Sequence, residues 1–493
     1  MLNILDFKNS IFLPEIFLGI SIILLILYNY FCKEKFGLIY TKTLLFYSQS
    51  SLFITILLAV QTDYSTSYFN LFLVNYKILF IQVIILLISL FCLLLFHRSL
   101  TKSRTNCLKY FILYLFTVLL CLIILMLNTE YIFFLFLSFE LVVICFYILC
   151  SFNYNNFGFL FFRFIPKRKL MFISALLGFL GLILLKGYIY LNDLDLLYQR
   201  NYFLITSIIL LSISLILKII IFYAPTNFIY YQKTPAITII FMHLVPKVFF
   251  FYFFSELVFT NYYFIYTEYY INLVTLITGI ICLVISIGMR RLFLKHFLEY
   301  LALVNSGYLF LCFTPLTYNS LNYCIYFLLF YILIIFLYGG IFLFFDNQQY
   351  PSLRLSFDVI LSDIDKKDYY SIIFSSLIFL FFGMPPTRRD YPCSRGVPFN
   401  GLILQSLLFQ SLFLGQMYLI LFFLVIFNLI VFLFFIWTIV PFWYERKDNS
   451  FLLLPSYINP LLGEFIITYF ILLLLTLCLD SILILNFLKT FYR

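Results

Sequence analysis

From Ile11 to Leu488 the chain is a succession of apolar stretches with mostly short polar breaks between them, the longest being Asp346–Asp368, which reads as a surface loop or interfacial helix. Each is close to the ~20 residues that a helix needs to cross the ~30 Å hydrocarbon core of a bilayer. They fall near residues 11–31, 37–60, 70–96, 109–127, 131–152, 170–190, 203–223, 235–256, 271–289, 297–313, 321–345, 369–385 resuming at 399–413, 416–440 and 463–488. None alternates with the period of two that a barrel strand requires. Backbone groups in lipid must find partners within their own segment, so the runs read as helices, about fourteen of them. The balance of side chains agrees: 65% of the 493 residues are hydrophobic and 11% charged, too few charges to cover a soluble surface. The expected fold class is an all-α polytopic membrane protein.

The loops sort by charge. Lys33 and Lys35 follow the first run, and Arg98, Lys102 and Arg104 the third. Arg163, Lys167, Arg168 and Lys169 follow the fifth, Lys233 the seventh, and Arg290, Arg291 and Lys295 the ninth. The alternate loops are acidic or mixed, with Asp63, Glu130, Asp193 and Asp195 beside Arg200, then Glu256 and Glu268. This alternation follows the positive-inside rule and predicts both termini on the outer side. The net charge of +10 is therefore a topology signal, and no nucleic-acid partner is expected. No cleavable presequence is expected either, because the first run has spanning length and no small-residue cleavage site behind it. The eleven cysteines are scattered without CxxC pairs, so they read as buried apolar residues, with neither a metal nor a disulfide framework. The wealth of Phe, Tyr, Ile, Asn and Lys points to A/T-rich codons and hence to an organellar genome.

Two places break the helical pattern. Pro225 and Thr234-Pro235 flank the turn after the seventh run, and Gly383-Met384-Pro385-Pro386 interrupts the twelfth. Irregular backbone at membrane depth is tolerated where it lines a cavity or ion path, and paired breaks in two halves mark an inverted-repeat transporter. The expected organisation is an N-terminal three-helix segment (1–108), a first half (109–258), a second half (271–444) and a C-terminal helix (445–493).

A few ionisable residues lie inside the runs. Lys218 and Lys247 have no acid one helical turn away, and an ammonium at mid-bilayer costs about 2.5–3.5 kcal/mol on the mildest scales. Each must face protein or water; the competing reading is a side chain that snorkels to the headgroups. Glu140 sits mid-run in YIFFLFLSFELVVICFYIL and needs either a proton or a partner across helices. His243 precedes Lys247 by one turn on the same helix face, and is read either as a proton relay or as a buried hydrogen-bonding imidazole. Glu15, behind Pro14, suits a helix start and is read as structural. Lys77, Lys186 and Glu299 read as interfacial, and Asp480 lies deeper. A lysine taken out of water exchanges its proton at modest cost, and a nearby carboxylate reverses that effect. Glu140, Lys218, Lys247 and His243 therefore form a candidate proton path, in which movement of Glu140 relative to Lys218 gates proton binding at Lys247.

At these residues the chain resembles the subunit 2 family of respiratory complex I (NADH:ubiquinone oxidoreductase), whose members are antiporter-like membrane subunits. Leu13-Pro14-Glu15-Ile16 opens the first helix as in the family. Glu140 and Tyr147 resemble its fifth-helix glutamate and tyrosine, Lys218 its seventh-helix lysine, and Pro246-Lys247 its eighth-helix APK. Lys295, Tyr300 and Gly307-Tyr308 resemble its tenth-run motif, and Gly383-Met384-Pro385-Pro386 its GIPP. The sequence departs from the pattern in three places. APTNFIYYQKTP replaces the usual WAPDVYEG loop, and Asn305 stands where histidine is common. No lysine follows the GIPP-like segment, where Arg388, Arg389, Arg395 and Gln405 stand instead.

The resemblance implies fourteen helices, two inverted five-helix repeats and no cofactor in this chain. It implies other membrane-arm subunits of the complex as partners, lipids including cardiolipin around the helices, and the mitochondrial inner membrane, with the basic loops in the matrix. Two other functions fit the same residues. One is a free-standing cation/proton antiporter or a sister antiporter-like subunit. The other is a scaffold subunit that no longer pumps, which the missing lysine favours. No phosphate loop, nucleotide fingerprint or hydrolase elbow is present.

Overall fold

The computed structural model describes residues 12–31, 37–61, 66–68, 72–74, 76–96, 107–126, 172–184, 275–284, 294–315 and 415–444, with part of those in 140–149, 206–217, 240–248, 324–336 and 408–413. The named elements are α1 (Leu13–Phe31), α2 (Gly37–Gln61), β1 (Thr66–Tyr68), β2 (Phe72–Val74), α3 (Tyr76–Phe96), α4 (Cys107–Met126), α5 (Leu294–Phe313) and α6 (Tyr418–Tyr444). The other described segments are helical, save for turns at the ends of α1 and α5 and before α6. The chain divides into two compact units, Met1–Val274 and Thr275–Arg493.

In the first unit α1 packs on α2 and α4, and α3 packs on α2 and α4. Small and hydroxylic residues turn inward together with leucine and isoleucine. On α2 the buried face is Leu44, Leu45, Ser48, Ser51, Leu52, Thr55 and Ala59, repeating every three to four residues, while Phe46, Phe53, Ile54, Leu57 and Val60 point out. Small residues let helix backbones approach when apolar burial cannot drive association, because lipid is as apolar as leucine. The buried serines and threonines of α1 and α2 bond within their own helices. Ser48 Oγ donates to the Leu45 carbonyl at 2.8 Å, Thr55 Oγ1 to Leu52 at 2.7 Å, and Ser21 Oγ to Leu18 at 2.7 Å. Glycine serves the same end on α1, where a Cβ on Gly19 would stand 3.7 Å from Leu119 of α4. The outward faces are apolar. Ile16, Ile20, Ile23, Leu24 and Leu27 line that of α1, and Phe172, Leu176, Phe179, Leu180 and Ile183 that of residues 172–184. Lys42–Gln61 within α2 is long and apolar enough to cross a membrane, and shorter apolar helices cover Leu13–Tyr28, Ile78–Leu94 and Tyr418–Ile430. Large apolar faces left outside and polar groups turned inside mark a protein whose solvent is lipid.

One departure from the sequence reading lies between α2 and α3. The apolar run beginning at residue 70 does not enter its helix until Tyr76. Phe72–Val74 instead pairs antiparallel with Thr66–Tyr68, with Thr66 opposite Val74 and Tyr68 opposite Phe72. β-branched and aromatic residues favour such a ladder, which occupies backbone groups that a helix has not yet claimed.

In the second unit α5 is the central element, with every residue from 303 to 312 buried. It crosses residues 275–284 at a pair of glycines. A Cβ on Gly279 would lie 2.8 Å from Leu311, one on Gly307 would lie 2.7 Å from Leu283, and each would meet the other glycine's carbonyl oxygen at 3.1 Å. On other sides Tyr308 packs edge-to-face on Phe327 and Phe427, and its hydroxyl donates to Asn428 of α6. A tight corner leads into α6. Met417 N–H donates to Leu412 O at 3.0 Å and Gln416 N–H to Phe413 O at 3.1 Å, with Gln416 at φ 57°. This is a Schellman stop with glutamine in the left-handed position that glycine usually fills. Gly415 lies against Pro315, where an added Cβ would meet the proline ring at 2.7 Å.

Two outcomes follow for thermal unfolding in detergent. Gly307→Ala is expected to cost about 1–3 kcal/mol by overpacking against Leu283, with part recovered in the Gly307→Ala/Leu283→Ala double variant. Gln416→Gly is expected to stabilise by up to about 1 kcal/mol by relieving the left-handed backbone.

Candidate functional site

Every described position in residues 240–248 of the first unit is buried. Ile240, Phe241, Leu244, Val245 and Val248 are buried. So are His243, 2% exposed, and Lys247, 4% exposed. Lys247 itself is enclosed among these buried positions, so its side chain neither reaches acyl chains nor snorkels to the headgroups. Four residues apart on one helix, the two side chains stand about 5–6 Å apart at Cβ. The His243 Nε2 is withdrawn from solvent.

This helix is held by aromatic contact. The Phe241 ring lies 4.4 Å from that of Tyr114 on α4, tilted by 39°. Tyr114 is fully buried, and its hydroxyl donates to the Ser89 carbonyl on α3 at 2.9 Å. A buried tyrosine needs such a partner. The contacts thus run from the lysine-bearing helix through Phe241 and Tyr114 to α3. Ser207 and Ser214, on the helical residues 206–217, are buried in the same unit.

Glu140 stands at a helical position with its side chain half-buried and its Oε1 shielded from solvent. Lys218, the Gly383–Pro386 break and Arg388, Arg389, Arg395 and Gln405 lie outside the described residues. Lys295 and Tyr300 are on α5, with side chains outside the described set. His243 and Lys247 are therefore the pair of predicted site residues that the structure brings together. Among the described residues no group of three or more His, Cys, Asp or Glu could hold a metal ion.

Three polar positions escaped the sequence reading because it followed charge. Gln82 of α3, the buried partner of Glu15, is a single amide in KILFIQVIILL. Asn428 is a lone amide in an otherwise apolar run, and Tyr331, in the second unit, has a buried hydroxyl. An isolated amide in a membrane run is itself a signal, since it needs a partner across helices.

No family model and no curated protein matches the sequence. Solved structures do. A chain of respiratory complex I from Thermus thermophilus with bound aureothin superposes with a TM-score of 0.63 at 13% identity, covering 94% of this chain and 97% of that one. A chain of the membrane-bound sulfane sulfur reductase, an archaeal respiratory membrane complex, gives 0.66 at 12% identity over 94% and 93%. A chain of the Mrp complex from Dietzia sp. DQ12-45-1b gives 0.62 at 13% identity over 87% and 79%. The fold is shared. It extends over nearly the whole of this chain and of the two respiratory chains, so the likeness is not confined to one bundle of helices.

Tyr114→Phe keeps the ring contact with Phe241 and is expected to cost about 1 kcal/mol for the lost hydrogen bond. Tyr114→Ala removes both and is expected to cost about 3–5 kcal/mol. Unfolding in detergent separates the two.

Proposed function

We propose that the chain is an antiporter-like, proton-translocating membrane subunit of mitochondrial NADH:ubiquinone oxidoreductase, of the subunit 2 type. The observation that carries this reading is Lys247, 4% exposed and one turn from His243, in a helix whose described positions are all buried. A cation in such a place is expensive and needs a reason, and proton relay is the usual one inside membranes. The likeness to chains of two respiratory complexes and of the Mrp complex supports the same class of machine. The landmarks from Leu13-Pro14-Glu15-Ile16 to Pro246-Lys247 favour the subunit 2 type over a sister subunit or a free-standing antiporter.

In the proposed path Lys218, Lys247 and Glu140 are the charge-changing groups. His243 stands beside Lys247 as the relay. The imidazole accepts a proton at one nitrogen and releases one from the other, so it carries protons past Lys247 without moving. Glu140 supplies the countercharge: near Lys218 it favours the ammonium there, and away from it the lysine releases its proton. Lys247 then takes up or yields a proton in turn. This chain carries no redox group in the proposal. Other subunits perform the electron transfer, and this one responds to it. Its partners are the other membrane-arm subunits and lipids such as cardiolipin, in the mitochondrial inner membrane with the basic loops in the matrix. The fourteen helices and two inverted repeats belong to the same proposal.

The test is Lys247→Ala in the whole complex reconstituted into vesicles, read as protons moved per NADH oxidised. A severalfold fall at normal assembly is expected. Unchanged pumping would sink the reading and leave the scaffold role.

A further inference from the structure

Glu15 lies outside the path just described, yet it is the one carboxylate among the described residues that is buried outright, at 5% exposed. It stands in the first turn of α1, where its Oε1 accepts from Gln82 Nε2 of α3 at 3.3 Å. Its Oε2 is shielded from solvent and has no hydrogen-bond partner among the described residues.

Among the described side chains of the helices around it, no buried cation stands by to balance a negative charge. The helices packed against α1 are α2 and α4, and Gln82 brings α3. Among their described side chains no lysine or arginine is buried. Lys42 of α2 is exposed, and it neighbours Thr43, which Tyr28 meets at the far end of α1 at 3.4 Å. Lys77 lies on α3 five residues before Gln82, and its side chain is outside the described set. The buried titratable groups on these helices are neutral: Tyr114, bonded to Ser89, and the thiols of Cys92 and Cys121. A single long amide contact satisfies a neutral carboxyl at its carbonyl oxygen. It does not compensate an ionised group whose second oxygen is desolvated.

We propose that Glu15, clasped by Gln82, is a proton-binding site. Glu15 lies about 3 Å, and Gln82 about 9 Å, along their helices from the first residue, taking 1.5 Å per residue. The pair is thus near the end of both helices, where a proton need travel only a short way to reach water. It belongs to the α1–α3 bundle and not to the helices of Glu140, His243 and Lys247. A bound metal cation fits less well, because a hard cation takes six or more oxygens, and two side chains do not supply them.

The inference does not rest on the proton-pumping reading, since its test reads one carboxyl and not transport. Infrared spectra of the full-length chain in its native assembly, recorded in H2O and D2O at neutral pH, would show a protonated-carboxyl C=O band that shifts on deuteration. Glu15→Gln is expected to remove that band. Gln82→Leu is expected to move it to higher frequency, because the carbonyl loses its donor. If Glu15→Gln assembles normally and leaves the carboxyl region unchanged, the carboxyl is ionised and the proposal fails. Should Glu15→Gln not assemble, Gln82→Leu decides alone: a band that does not move overturns the site. A band abolished by Na+ at constant pH would make the ligand a metal cation and would also overturn it.

Discussion

The described helices are organised by one constraint: a polar group placed in hydrocarbon is costly unless the protein itself supplies its partner. Lipid offers no hydrogen bonds, and burying leucine against leucine gains little when the alternative is lipid. The inside of the fold therefore holds what water would otherwise hold. Ser21, Ser48, Ser51, Thr55, Ser89, Thr117, Thr278, Ser306 and Thr314 are all buried, and each bonds to a carbonyl three residues back. The exposed faces carry large apolar residues such as Ile16, Ile23, Phe46, Phe53 and Leu57. A hydroxyl that closes on its own helix asks nothing of its neighbour, so it packs as a small residue. Gln49, Gln82, Asn428 and the hydroxyls of Tyr114 and Tyr308 reach instead from one helix to the next.

The same constraint decides what was legible in the sequence. Spanning runs are visible because a span must be apolar along its whole length. The reading places helices near 11–31, 37–60 and 109–127, and the structure has them at Leu13–Phe31, Gly37–Gln61 and Cys107–Met126. The break before residue 416 was visible too, although the stop that makes it uses Gln416 in place of the glycine that would have announced it. Burial of Lys247 and His243 was legible from charge alone. The glycine crossing was not. Gly279 and Gly307 sit on different helices, and neither belongs to a repeat that would show a contact surface. The hairpin at 66–74 was hidden because a three-residue strand made of Phe, Leu and Val reads as the start of a helix when a longer apolar run follows it.

The two units meet the constraint with different chemistry. Among the described residues the first unit buries ionisable groups: Glu15 clasped by Gln82, and His243 beside Lys247. The second buries neutral ones: Asn305 and Ser306 on α5, Tyr308 bonded to Asn428, and Tyr331 with its hydroxyl enclosed. A neutral network can orient water and pass a proton along it, but it cannot store charge. A buried lysine can. Storage of charge is what couples proton binding to an electrostatic signal from elsewhere, because the energy of an ammonium in a low-dielectric interior changes steeply with any nearby charge. On the described residues, therefore, the first unit holds the groups that can respond to such a signal, and a lysine substituted for Asn305 would test whether the second unit's interior can be made to respond as well.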